Sequence, residues 1–261
     1  MTGGARTIAV SGAASGIGRA LADLLRERGD RVIGVDRDQS DVRADLSVPE
    51  GREEAVRGVL DICGGVLDGV VACAGISDPE PLTIRVNFFG VTGLLEGLRP
   101  ALAAAPAPRA AVVGSISGTQ PVDRAVVAAC LEAGEEEALR LAREAVARDR
   151  GGRLYPSSKS ALARWLRAAA VTPDWAGAGI PLNAIAPGVV RTPMTAPLFE
   201  DETMRKIMDQ AVPMPLNGHA GPEVVAEALH WLISPGNSHM TGQVVYLDGG
   251  AEAMRRGPDV Y

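Results

Sequence analysis

Short apolar runs alternate with stretches of helical periodicity through the first half of the chain. Thr7–Val10 is apolar and partly β-branched, and glycines follow it. Ile17, Leu21, Leu24 and Leu25 recur at helical spacing from Ile17 to Arg28, with Gly29 placed to end the helix. Arg31–Val35 predicts a second strand, and a short third ends at Asp45-Leu46. Glu50–Ile62 predicts a helix, Asp68–Ala72 a fourth strand and Leu82–Leu98 a mostly helical stretch. Ala110–Val113 predicts a fifth strand that runs out at Gly114-Ser115. Strands separated by helices imply parallel βαβ units in a doubly wound sheet.

Beyond Ser115 the pattern changes. Arg124 to Arg150 contains no strand candidate. Glu135-Glu136-Glu137 opens a helix whose apolar face runs Leu139, Ala142 and Val146, and Arg143, Arg148 and Arg150 crowd its end. Acid first and base last complements the helix macrodipole. Tyr155–Ala170 predicts the next helix, with Pro156 tolerated in its first turn. Leu182–Ala186 predicts a sixth strand, Pro187–Pro215 a proline-rich loop, Val224–Ile233 a helix and Gln243–Leu247 a seventh strand. No internal repeat or domain boundary interrupts the 261 residues.

Composition narrows the function. With 46% hydrophobic and 22% charged residues, the chain can bury the core of one α/β domain. Its net charge is −6 and its arginines are scattered, which argues against nucleic acid as a partner. Cys63, Cys73 and Cys130 lack CxxC spacing and the three histidines lie far apart, so no metal site is expected. Free thiols fit a reducing, cytoplasmic setting. The N-terminal Met1-Thr2-Gly3-Gly4-Ala5-Arg6 lacks the apolar region of a signal peptide, and no run is long enough for a membrane helix.

Three pieces of candidate chemistry stand out. Ser11-Gly12-Ala13-Ala14-Ser15-Gly16-Ile17-Gly18 joins the first strand to the first helix. Glycines there permit a tight turn and close backbone approach to a pyrophosphate, and the helix amides face its charge. An ordinary glycine-rich turn is the alternative. Asp36, 18 residues after Gly18, can accept both adenosine ribose hydroxyls and repel a 2′-phosphate, which favours NAD over NADP. The adjacent Arg37 is either a guanidinium for such a phosphate or a solvated surface charge. Tyr155 and Lys159 stand at i and i+4, on one face of a helix. A lysine charge beside a phenol favours the phenolate and lowers its pKa, which suits proton transfer to and from alcohols and carbonyls.

The glycine segment, Asp36, Asp45-Leu46, Ala74-Gly75, Asn87, Ser115, Tyr155/Lys159 and Pro187-Gly188 occur in the order and spacing of the short-chain dehydrogenase/reductase family, and the chain resembles that family along essentially its whole length. The resemblance implies a single-domain Rossmann fold over 1–261, with a seven-stranded parallel sheet and helices on both faces. It implies that Tyr155 is the general acid or base, that Lys159 lowers its pKa and holds the nicotinamide ribose, and that Ser115 hydrogen-bonds the substrate oxygen. Ser117 is the rival hydroxyl. Asn87 would anchor a water on a proton relay, or would simply satisfy backbone groups. NAD would be held by Gly12, Ser15, Gly16, Ile17, Gly18, Asp36, Arg37, Asp45, Leu46, Cys73, Ala74, Gly75, Tyr155, Lys159, Pro187, Gly188, Val190 and Thr192. Asp45 and Leu46 correspond to adenine contacts, and Val190 and Thr192 lie in the nicotinamide-side loop.

The chain departs from the family pattern in places. Ser11 stands where threonine is usual, and Cys73 where many members have asparagine. The 39 residues between Ser115 and Tyr155 far exceed the usual connection. This insertion, 116–154, resembles that of the bacterial 3α-hydroxysteroid dehydrogenase/carbonyl reductase subgroup, including Leu131-Glu132-Ala133-Gly134-Glu135-Glu136. The resemblance implies a homodimer, because the insertion blocks a tetramer contact. The Glu135–Arg148 helix is expected beside the Tyr155 helix. A substrate lid is expected over 193–215, where Met194, Leu198, Phe199, Met204, Ile207 and Met208 either cover an apolar pocket or form the core face of a lid helix. The expected activity is NAD-dependent interconversion of a hydrophobic secondary alcohol, such as a hydroxysteroid, and its ketone. A 3-hydroxyacyl or other small-alcohol dehydrogenase, with Arg191 or Arg205 holding an acid, and a non-catalytic cofactor sensor are the alternatives.

Overall fold

A computed structural model of the chain describes residues 4–260, so Met1-Thr2-Gly3 of the N-terminal stretch and Tyr261 lie outside the described residues. Seven strands form one sheet: β1 (Thr7–Ser11), β2 (Arg31–Asp36), β3 (Val42–Arg43), β4 (Gly69–Ala72), β5 (Arg109–Val113), β6 (Leu182–Pro187) and β7 (Val244–Leu247). Their order is β3-β2-β1-β4-β5-β6-β7, and every pairing is parallel. This is the expected seven-stranded Rossmann sheet.

Helices cover both faces. On one side pack α2 (Pro49–Cys63), α4 (Val91–Ala103) and α7 (Leu154–Ala169), burying Ala55, Val59, Leu94, Leu98, Leu162 and Leu166 against Ala9, Val70 and Val112. On the other pack α1 (Gly16–Glu27) and α10 (Pro222–Leu232), burying Leu21, Leu25, Val225 and Leu229 against Ile8, Val10 and Val71. Neighbouring strand residues thus serve opposite layers, as the pleat requires. Helix α1 stops where expected: Gly29 has φ +88°, and the amides of Gly29 and Asp30 return to the carbonyls of Arg26 and Leu25. No described helix is long and apolar enough to cross a membrane.

Three expectations change. The short third strand ends at Arg43, before Asp45-Leu46. The Asp45 carboxylate accepts the Ser47 amide at 2.9 Å, so the chain turns there instead of extending the ladder. The Leu82–Leu98 stretch is broken into α3 (Leu82–Ile84), a π-helical turn over Arg85–Gly90, and α4. Beyond β5 the chain forms a 3₁₀ turn (Ile116–Thr119), then α5 (Arg124–Ala128), a π-helical turn (Ala129–Ala133) and α6 (Glu135–Ala147). Asp123 starts α5 by accepting the amides of Ala125 and Val126. α5 is the insertion helix that packs on α7, while α6 leans on α5, the second π turn, α3 and the Arg85–Gly90 turn. The position expected of the Glu135 helix is therefore taken by α5.

Candidate active site

The parallel sheet brings the carboxyl ends of β1, β2, β4, β5 and β6 to one edge. The strand order reverses between β1 and β4, and ligands of such sheets bind outside that point. A cleft of ≈ 1190 Å³ opens there. At its centre is the turn from β1 into α1. Gly12 has φ +69°, and a Cβ on it would lie 2.9 Å from the Ala74 amide nitrogen. A Cβ on Gly18 would lie 2.2 Å from the Gly12 carbonyl oxygen, so only glycine lets α1 close on the turn. Ser15, at the start of α1, makes no side-chain cap, which leaves the first helical amides facing the cleft. That cradle fits a pyrophosphate.

At the β2 end, Asp36 is held by backbone. Its Oδ2 accepts the Ala14 amide at 3.0 Å and its Oδ1 accepts the Arg37 amide at 2.7 Å. The carboxylate thus stands where a ribose would meet it, at the edge of the glycine turn. Arg37 is exposed, as is Arg43, which pairs with Asp36 across β2 and β3. Asp45 and Leu46 form the far wall. Burial acts upward on the Asp45 carboxyl, yet the amide and hydroxyl of Ser47 and the charges of Arg37 and Arg52 hold it below the ordinary carboxylate range.

The chemical end lies between β4, β5 and α7. Lys159 is buried, and its Nζ donates to the Val113 carbonyl at 2.8 Å. Burial lowers its pKa to about 8. The ammonium sits 5.8 Å from the centre of the Tyr155 ring. Tyr155 does not show the expected downward shift: burial pushes the phenol above its ordinary value, opposed only by hydrogen bonding with the Ser115 side chain. The cause is desolvation, which disfavours both the phenolate and the ammonium that was to stabilise it. A half-buried, protonated phenol at the cleft wall is suited to giving a proton to a carbonyl oxygen. Ser115 follows β5 directly, lines the cleft, and accepts the Ser117 amide at 3.1 Å. Ser117 does not line it among the residues of this cleft. Burial also raises the Cys73 thiol to about 12, which leaves it protonated.

Asn87 is fully buried and does not line the cleft. Its Oδ1 accepts the Ile76 amide at 2.9 Å, and its Nδ2 donates to the Ile76 carbonyl at 2.8 Å and to Ser158 Oγ at 3.0 Å. Of its two readings, satisfying backbone groups is the one realised in these contacts. Both amide hydrogens are used, so a water could meet only the remaining lone pair of Oδ1.

The loop after β6, expected on the nicotinamide side, lines the cleft with Pro187, Gly188, Val190 and Thr192. Thr192 stands 3.5 Å from the Cβ position of Gly16, across the cleft mouth. The lid is helical, as α8 (Ala196–Glu200) and α9 (Glu202–Ala211). Its two readings divide between residues. Met208 is buried beside Ile116 and Val189 with Leu198 and Phe199 half-buried against them, Met194 lines the cleft, and Met194, Met204 and Ile207 are exposed. Arg191 lies over the Phe199 ring at 4.8 Å and Arg205 is exposed.

The cleft therefore gathers all eighteen residues expected around the cofactor, together with Ser115, and leaves out Asn87. Sequence reasoning missed Arg43, Ile76 and Thr195 in its lining, and Ser158 behind Tyr155. Ser158 carries the one available signal, since it directly precedes Lys159.

A family model described as enoyl-(acyl carrier protein) reductase matches residues 12–252. The 3-alpha-hydroxysteroid dehydrogenase/carbonyl reductase of Comamonas testosteroni is 35% identical over 253 residues, covering 95% of this chain and 97% of the relative. A cis-4-hydroxycyclohexanecarboxylate dehydrogenase of Sinomonas cyclohexanicum is 32% identical, covering 95% and 97%. The crystal structure of the 3-alpha-hydroxysteroid dehydrogenase from Pseudomonas sp. B-0831, complexed with NADH, superposes with a TM-score of 0.88 at 43% identity, covering 96% of this chain and 98% of that one.

Proposed function

The chain belongs to the short-chain dehydrogenase/reductase family of oxidoreductases, and on that premise we propose that it uses NAD(H) to interconvert a hydrophobic secondary alcohol, of the 3α-hydroxysteroid class, and its ketone. The observation that carries the reading is the shared cleft: Asp36 at one end, and Tyr155, Ser115 and Lys159 at the other. When bound, the nicotinamide supplies or accepts the hydride. In reduction, the Tyr155 hydroxyl gives its proton to the carbonyl oxygen while Ser115 Oγ donates a hydrogen bond to it. In oxidation the phenolate takes the alcohol proton. Lys159 holds the nicotinamide ribose and places a positive charge beside the phenol.

Asp36 supports NAD over NADP, because a fixed carboxylate attracts ribose hydroxyls and repels a 2′-phosphate. Met194, which alone of the six expected lid residues lines the cleft, supports a bulky apolar substrate over a short acid. Arg191, one of the two candidates for holding a carboxylate, lies over the Phe199 ring. The Comamonas relative, named for a hydroxysteroid, fits the same class; the Sinomonas relative is named for a cyclic secondary alcohol that also carries a carboxylate. We further propose one catalytic domain with an insertion at 116–154 and a lid at 193–215, a homodimer in solution and a cytoplasmic setting, the last supported by three free cysteines.

The test is NADH formation with a steroid alcohol, cyclohexanol, a short 3-hydroxy acid and a 3-hydroxyacyl thioester. The steroid is expected to give the highest kcat/KM. Highest kcat/KM with an acyl compound moves the function to fatty-acid chemistry, and no turnover of any member supports a sensor. Light scattering at micromolar concentration tests the dimer, and a stable tetramer built on α7 refutes it.

A further inference from the structure

The insertion reaches the adenine end of the cleft through one arginine. Glu135, the first residue of α6, holds Arg52 of α2 in a fork: Nη1 to Oε2 and Nη2 to Oε1, both at 2.7 Å. The same guanidinium donates through Nε to the Leu46 carbonyl at 2.9 Å and through Nη2 to the Ser47 carbonyl at 3.3 Å. Only 12% of the Arg52 side chain and 23% of that of Glu135 is exposed, so water competes weakly for these bonds. Neither residue lines the cleft, whereas Asp45, Leu46 and Ser47 do.

The surroundings leave Arg52 little freedom. Its guanidinium lies over the Phe89 ring at 6.0 Å. Its Cδ lies 3.2 Å from the Cβ position of Gly93, so any side chain there would crowd it. Leu46 is pressed on the π turn, its carbonyl oxygen 3.0 Å from the Cβ position of Gly90. Arg85 of the same turn approaches Glu135 Oε1 at 3.8 Å. The Asp45–Ser47 wall is therefore clamped between the start of α2, the π turn and the insertion.

We infer that Arg52 and Glu135 are positioning residues that set the adenine wall, so that the insertion tunes dinucleotide affinity. The inference rests on the reading of the cleft as a dinucleotide site. A fork is required, because four acceptors are met by one planar group; lysine would keep the charge and lose the geometry. Glu137, two residues further along α6, pairs with Arg140 on the exposed face and has no such reach.

The experiment titrates NADH by fluorescence and AMP by competition against wild type, Arg52→Met, Glu135→Gln and Glu137→Gln, with melting curves for each. AMP carries only the adenine half. Arg52→Met is expected to raise the Kd of NADH about tenfold, equivalent to about 1.4 kcal/mol of binding free energy, with the Kd of AMP rising by the same factor. Glu135→Gln gives a smaller rise with the same NADH-to-AMP ratio, and Glu137→Gln gives wild-type values. Should Arg52→Met not fold, Arg52→Lys must show the same paired rise. Unchanged affinities, a rise for NADH without one for AMP, or an equal effect of Glu137→Gln overturns the inference. Failure of the wild type to bind NADH overturns the dinucleotide reading and removes the inference with it.

Discussion

Asn87 and Ser158 are joined by a hydrogen bond of 3.0 Å, and Ser158 Oγ donates in turn to the Tyr155 carbonyl at 2.8 Å. The start of α7 is thus tied to the π turn, and through Ile76 to the loop after β4. Asn87 positions the segment that carries Tyr155 and Lys159.

Removing that amide leaves buried partners unsatisfied. Asn87→Ala is expected to cost roughly 1–3 kcal/mol for each orphaned group and to lower Tm clearly. Asn87→Asp keeps the acceptor for the Ile76 amide but turns a buried carboxylate on the Ile76 carbonyl and Ser158, so it is expected to lower Tm as well. Thermal melts of both variants decide; wild-type stability in Asn87→Ala would refute the positioning role.

Tyr155→Phe is expected to abolish turnover while NADH affinity stays within about twofold, because the ring keeps its packing and only the proton donor is lost. Ser115→Ala lowers kcat by roughly 10²–10³-fold, the range for a donor to a developing oxyanion, and Ser117→Ala does not. Steady-state kinetics on the best alcohol of the panel provide the check. A larger loss in Ser117→Ala reverses the choice between the two serines.

Lys159 gives the cofactor-free protein an alkaline signature. Its pKa is lowered from 10.5 to about 8 in the folded state. Below about 8 both states hold the proton, and burying the charge disfavours folding by a constant amount. Between about 8 and 10.5 the unfolded chain binds a proton that the folded one has released, so stability from this group rises with pH. The Tyr155 phenol, raised above 10, acts oppositely once pH passes 10, where the unfolded chain ionises first. Denaturant midpoints from pH 7 to 10 should therefore rise more in wild type than in Lys159→Met. Parallel curves would falsify the shift.

Gly18→Ala places a Cβ 2.2 Å from a backbone oxygen that cannot move without opening the β1–α1 turn. The expected cost is about 1–3 kcal/mol of stability, as for overpacking, accompanied by weaker NADH binding. Retained Tm and affinity would show that the turn yields.

Asp36→Ser is expected to shift the NAD/NADP ratio of kcat/KM toward NADP by removing the carboxylate and leaving Arg37 and Arg43 beside the site. An unchanged ratio would show that Asp36 does not select the cofactor.

The sequence by itself determined what short-range physics encodes. Apolar runs marked six of the seven strands, while the short third, expected to reach Asp45-Leu46, ends at Arg43; a central strand and the turn that ends it are written in neighbouring residues. The spacing of Gly12 and Gly18 marked a tight turn, and Tyr155 and Lys159 fell on one face of α7 as helical geometry demands. Tertiary structure decided the rest. The direction of the Tyr155 shift depends on how much water the fold excludes, which no spacing reveals. Asn87 chose its partners from Ile76 and from Ser158, 71 residues away. The Arg85–Gly90 π turn divides a stretch whose periodicity reads as one helix, since a single extra residue in a turn barely disturbs the pattern. Glu135 reads as a helix-dipole acid in its own segment, and meets Arg52 only because folding brings together residues 83 apart. Local propensity is legible along the chain; burial and long-range pairing exist only once the sheet and its two helical layers have closed.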